Sequence, residues 1–271
     1  MSAYPQDRPL PLLRAGRVVF DLALEAMVWT RRTLVMGVLV GLPALFAVVY
    51  RLVLAARGDS GAPAPLDVYG HIVSLYEVRN VLPIVALFYG SSLVADEVEG
   101  RTITYLLTRP IRRSAILSGK FAAYLVTTVT LALPAVLVSF LALMTAPGGP
   151  GLAAAAGGLF GDLGTVCLTL LSYGTLFVLL GVLLRRPVIP GLLFLFGWEL
   201  VANLPGYMPR LTITGYLRSL LRYQPVEEGL FPSVAEILPW TTCVEVLLVS
   251  SAVFLAAALW VFSRREYVLE Q

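Results

Sequence analysis

The densest run of chemistry-bearing side chains lies between Ala95 and Lys120, which reads ADEVEGRTITYLLTRPIRRSAILSGK in a chain otherwise 58% hydrophobic and only 14% charged. Its Gly119-Lys120 pair invites comparison with a nucleotide-binding loop, which needs Gly-x-x-x-x-Gly-Lys-Ser/Thr so that backbone amides cradle the phosphates and a hydroxyl holds Mg2+. The pattern fails at both ends: position 114 is Ser114 where glycine is needed, and Phe121 stands where the hydroxyl should be. ATP and magnesium are therefore expected on another polypeptide, with no cofactor in this chain. The single histidine, His71, cannot supply His-Glu-x-x-His, and no Gly-x-Ser-x-Gly marks a serine nucleophile. Cys167 and Cys243 sit singly within apolar blocks and read as small buried hydrophobes. No catalytic residue and no metal site is expected.

The charged run is instead built to meet a protein. Asp96, Glu97 and Glu99 close an apolar block, and Gly100 permits a sharp bend. Ile103, Leu106 and Leu107 then fall at i, i+3 and i+4, which predicts a short amphipathic helix outside the lipid. Pro110 ends it. Arg112, Arg113 and Lys120 suit the anionic cytoplasmic leaflet. A second charge is isolated: Glu199, in FGWELVANLP, lies in an apolar block with no basic neighbour in sequence. A carboxylate near the bilayer centre costs about 2.5 to 3.5 kcal/mol. A translocation path, a bound cation or hydrogen bonds from a neighbouring span could each offset that cost.

The elements that hold these residues are membrane helices. The mean hydropathy is +0.82, and the apolar residues fall into blocks long enough for about 30 Å of hydrocarbon. The sequence predicts an all-α integral membrane protein, a single transmembrane domain over residues 1–271, with six transmembrane helices at about 33–56, 78–95, 121–146, 163–184, 188–204 and 241–262. The apolar core of the second is short, which extends its start back to around Tyr69 or later. Ahead of them, Arg14, Arg17, Asp21 and Glu25 recur at steps of three and four, an amphipathic stripe that predicts an interfacial helix over 12–32 or one packed on the bundle. Pro5, Pro9 and Pro11 followed by charge are unlike a signal peptide. The loop between spans two and three covers 96–120. A Gly-, Pro- and Ala-rich connection spans 147–161, and short helices are expected in 205–239, before span six.

Lys and Arg collect at the ends of the blocks, and fourteen of the 20 fall on the side that carries both termini in a six-span layout. The positive-inside rule places both termini in the cytoplasm of a cell-membrane protein. The same placement accounts for the sequence pI near 8.9 without nucleic acid.

The loop as a whole resembles that of the ABC-2 family of ATP-binding-cassette transporter permeases, where an acidic span end is followed by Glu-Gly-Arg-Thr, Leu-Leu, Pro-x-x-Arg and Gly-Lys. The matching residues are Glu97, Glu99, Gly100, Arg101, Thr102, Leu106, Leu107, Pro110, Arg113, Gly119 and Lys120. The resemblance extends to the layout of spans. It implies that the loop is a coupling helix docking on a separate cytoplasmic ATPase, present in two copies beneath a dimer of permeases that are identical or related, and that transport runs outward. Two rival readings follow from the residues: an ion-coupled secondary transporter using Glu199, or a non-transporting membrane subunit that remodels a partner protein.

Overall fold

The computed structural model describes residues 12–28, 30–57, 62–99, 113–203, 207–222 and 238–264, and among these no strand occurs. Helix α1 (Leu12–Val28) leads into α2 (Arg31–Arg57). A continuous rod follows, made of α3 (Pro65–His71), a π-helical stretch (Ile72–Val81) and α4 (Leu82–Glu99). Then come α5 (Arg113–Met144), α6 (Leu152–Leu183) and the short α7 (Val188–Phe196). Two 3-10 turns, Trp198–Asn203 and Met208–Leu211, precede α8 (Ile213–Leu220), and α9 (Trp240–Arg264) closes the described chain.

Five helices are long and apolar enough to cross a bilayer: Arg31–Ala56, Pro65–Val94, Arg113–Met144, Leu152–Leu183 and Trp240–Arg264. They carry five of the six expected spans, with corrections that have physical causes. The second span starts at Pro65 rather than 78, because buried Glu77 interrupts the hydropathy without interrupting the helix. The third starts at Arg113 rather than 121, and the fourth at Leu152 rather than 163, so most of the expected 147–161 connection is helical. Positive φ at Gly148 and Gly151 confines the turn to the residues just before it. Helices α4 and α5 take up 96–99 and 113–120 of the expected 96–120 loop and leave 100–112 between them, outside the described residues.

The fifth expected span, 188–204, is not one long helix. α7 stops at Phe196, and the chain tightens into a 3-10 turn after Gly197. The short helices expected before span six are present as Met208–Leu211 and α8. Pro43 and Pro134 lie inside α2 and α5, as neighbouring helices in a membrane bundle allow.

Packing is tightest where glycine removes a side chain. A Cβ on Gly90 would lie 3.2 Å from the Gly174 carbonyl oxygen, and one on Gly181 would lie 2.6 Å from the carbonyl oxygen of Ser91. These contacts bring α4 and α6 nearly backbone to backbone, the small-residue packing by which membrane helices associate. Tyr124 of α5 fills the space beside Gly174 and donates its hydroxyl to the Leu170 carbonyl at 2.8 Å. Tyr89, Tyr124, Tyr173 and Phe177 are fully buried. By contrast α2 and α9 expose whole apolar faces, Leu34, Val38, Leu45 and Leu52 on one and Leu248, Val249, Val253 and Trp260 on the other, as helices bathed in lipid do.

Candidate coupling base and intramembrane polar site

Two places hold the residues singled out by the sequence. The first is the foot of α5, where the chain returns from the charged loop. Helix α1 shows three faces here: Arg17, Asp21 and Glu25 are exposed and polar, Val18 and Leu22 are exposed and apolar, and Val19 is buried. The buried face lies on α5. At Gly119 an added Cβ would stand 2.6 Å from the Gly16 carbonyl oxygen and 3.2 Å from the Val19 Cβ. The glycine therefore sets the distance between the two helices, and α1 is a helix packed on the bundle. Beside it the Lys120 Nζ donates to the Leu93 carbonyl oxygen at 2.9 Å, which ties the end of α4 to the start of α5 across the loop.

Of the other loop residues, Glu97 and Glu99 lie in the last turn of α4, and Arg113 opens α5. Gly100, Arg101, Thr102, Leu106, Leu107 and Pro110 lie outside the described residues. Gly119 and Lys120 are thus brought together with α1 and α4. Both act within the chain, joining three helices into one block beneath the loop.

Glu199 occupies the second place. It is 8% exposed, and its Oε2 accepts the Thr214 backbone N–H at 3.1 Å. Thr214 sits in the first turn of α8, whose first N–H groups have no intrahelical partner; Thr212 caps the same turn by accepting the Gly215 N–H at 3.1 Å. The carboxylate thus binds where free amides and the helix dipole both favour negative charge. Tyr173 of α6 is 2.8 Å from the Thr214 hydroxyl, and the Trp198 indole N–H donates to the Leu211 carbonyl at 3.3 Å. Together these bonds hold the segment that follows α7 against α8. Glu199 Oε1 has no hydrogen-bond partner among the described residues. A cleft of about 120 Å³ adjoins Glu199, lined also by Arg79, Asn80, Phe196, Leu200 and Thr214.

Two buried carboxylates escaped the sequence reading. Glu77 is fully buried in the π-helical stretch, and neither of its oxygens has a hydrogen-bond partner among the described residues. π-helical segments recur at functional sites, and the Asn80 side chain here reaches back to the Leu75 carbonyl. Asp162, 2% exposed on α6, accepts the Tyr69 hydroxyl at 3.1 Å and thereby joins α6 to α3. The signal for Glu77 was available in the sequence: starting the second span at Tyr69 places this carboxylate inside it. No cluster of three or more metal-ligating side chains occurs among the described residues.

The family profile of ABC-2 family transporter proteins matches residues 22–200, most of the chain. The chain belongs to the ABC-2 transporter family. No individual curated protein matches it. An ABC-2 family transporter protein with five long apolar helices is a multi-pass membrane protein and the permease component of a transporter. The matched interval begins within α1, includes the whole charged loop, and ends just beyond Glu199.

Proposed function

We propose that this ABC-2 permease couples ATP hydrolysis on a separate cytoplasmic subunit to outward transport, through the loop from Asp96 to Lys120. The observation that carries the reading is the joint at the foot of α5. Gly119 seats α1 on α5, and Lys120 ties α5 to Leu93 of α4, so the chain enters and leaves 100–112 from one stiff block. A displacement of the loop by a partner would reach three helices at once, whereas separate helices would absorb it.

In this reading Glu97, Glu99, Gly100, Arg101, Thr102, Leu106, Leu107, Pro110 and Arg113 form or flank the docking helix, and Gly119 and Lys120 position it. Two ATPase copies, which bind ATP and Mg2+, serve two permease copies, identical or related. The broken segment supplies the sixth crossing: the nine residues of α7 and the 3-10 turn after it rise about 26 Å, close to the hydrocarbon thickness. Six crossings return both termini to the cytoplasmic face of the cell membrane, the side the positive charges favour. Glu199 stands beside the path.

A photocrosslinking amino acid at Leu106, in cells that express the natural partner genes, tests the docking. The expected product is a covalent adduct with a nucleotide-hydrolysing subunit, together with protection of 99–113 from impermeant labels added outside. Labelling of 99–113 from outside, or adducts that never contain an ATPase, would refute it.

A further inference from the structure

Asp162 and Glu199 each accept a hydrogen bond, whereas Glu77 is fully buried and neither of its oxygens meets a donor among the described residues. The polar side chains beside it in the chain are committed elsewhere. Ser74 donates its hydroxyl to the Gly70 carbonyl at 2.6 Å, and the Asn80 amide donates to the Leu75 carbonyl. Tyr76 donates to the Leu39 carbonyl at 3.3 Å, the group that Pro43, four residues on, leaves without its intrahelical donor. Ile72, Val73, Val78 and Val81 complete the buried face with apolar side chains.

The rod is pinned on both sides of this acid. Tyr69 is bonded to Asp162 at 3.1 Å and stands edge-on to Phe140, and Gly90 lies against Gly174. Between them runs the π-helical stretch, ten residues long where such winding usually lasts a single turn.

From this geometry we propose that Glu77 is a proton-binding site, occupied by a proton in the packed conformation described here. A carboxylate sealed from water and without a donor is far costlier than the neutral acid. A hard metal ion would gather about six oxygens around it, and no cluster of three or more His, Cys, Asp or Glu side chains stands among the described residues. A proton needs neither added space nor further ligands.

The elements packed on the stretch offer little to share that proton. α2 has no titratable side chain between Thr33 and Val49, and α5, which packs on α3, has none between Thr127 and Met144. α4 offers Tyr89, bound to Thr33 at 2.6 Å, and α3 offers Asp67, Tyr69 and His71. α6 offers Asp162, Cys167 and Tyr173, and α8 offers Tyr216 and Arg218. On the stretch itself Arg79 lines the cleft beside Glu199. None of these bonds to a Glu77 oxygen.

Because Glu77 is sealed, the proton enters or leaves only when the π-helical stretch moves. The carboxyl O–H bond then breaks, the proton passes to water, and one negative charge is left on the rod. Packing takes up a proton, so raising the pH favours the opened rod. This site goes beyond the coupling reading and needs neither ATPase nor cargo.

The test uses the full chain in lipid nanodiscs. Infrared spectra near neutral pH should show the carbonyl stretch of a protonated carboxylic acid that Glu77→Gln abolishes and Glu199→Gln keeps. The unfolding midpoint of the wild type should fall between about pH 6 and about pH 9, a range in which an ordinary glutamate stays ionised. Glu77→Gln and Glu77→Met should each remove about half of that fall or more. Replacing sodium and potassium by choline at constant ionic strength should leave the midpoint unchanged. An acid band untouched by Glu77→Gln, or equal pH dependence in all three proteins, would overturn the assignment. A midpoint that follows sodium or potassium until Glu77 is replaced would hand the site to a metal cation instead. A Glu77→Met chain unable to fold would count against it too, since a neutral acid without partners gives up no bond. Failure of Leu106 to capture an ATPase would leave all of these outcomes unchanged.

Discussion

Replacing Gly119 by alanine tests whether one missing side chain sets the joint beneath the loop. The new Cβ would lie 2.6 Å from the Gly16 carbonyl oxygen, 3.2 Å from Val19 Cβ and 3.3 Å from the Phe20 nitrogen. Two of these three neighbours are backbone atoms and cannot swing aside, so α1 has to retreat. Restoring ordinary contact takes about 0.8 Å, enough to forfeit a quarter to a half of the dispersion attraction across the contact. Overpacking of this kind costs about 1–3 kcal/mol, and the helix gains back up to about 1 kcal/mol when alanine replaces glycine. The net expectation is a loss between about 0 and 3 kcal/mol, centred on about 1–2 kcal/mol, and concentrated at the α1 contact because the α4–α6 pairing lies elsewhere. Gly41→Ala, where nothing lies within 4 Å of the added atom, is the matched control. Unfolding in mild detergent, with hydrogen exchange along α1, reads both variants. Gly119→Ala should lower the midpoint and speed exchange in α1, and Gly41→Ala should do neither. Identical behaviour of the two variants would refute the backbone contact and the joint built on it.

Other outcomes follow from single bonds. Lys120→Met removes the donor to Leu93 and keeps the apolar stem; transport should fall several-fold while the assembled complex still hydrolyses ATP, which paired transport and ATPase assays would read. Glu199→Ala strips the partner from Thr214 N–H and should destabilise by about 1–3 kcal/mol, more than Glu199→Gln; detergent unfolding of both variants checks the order. Tyr69→Phe removes the donor to Asp162 and should cost about 1 kcal/mol, a cost expected to vanish in the background of Asp162→Leu.

Long uniform apolar runs were legible because their length answers directly to bilayer thickness; α2 and α9 match the expected spans to within about two residues, the usual uncertainty of helix ends. Errors arose where composition and geometry part company. Alanine and glycine from 152 to 161 read as a connection, yet they form the first turns of α6 with most of their side chains exposed, where alanine's own preference for the helix is enough. Charge at Glu77 and Arg79 read as the edge of a span, but the rod runs through both because its backbone bonds are made within the helix. The stretch 188–204 misled in the opposite sense, as hydropathy stays high through Gly197 while the backbone changes its winding. Glu199 stood out as a lone acid, but its partner amide belongs to Thr214, fifteen residues on, and no local pattern announces that return. Gly119 and Lys120 were picked out as part of the loop motif; their inward contacts needed three dimensions.

The glycine contacts between α4 and α6 carry a mechanical corollary. With Gly181 laid over the backbone of Ser91, and Gly90 against Gly174, neither helix can slip lengthwise past the other without driving main chain into main chain. The pair forms a keel. On the coupling reading, a push delivered below Glu99 would move Pro65 and Leu152 at the far end with it, and the helices left to give way would be α2 and α9, the least buried of the long helices.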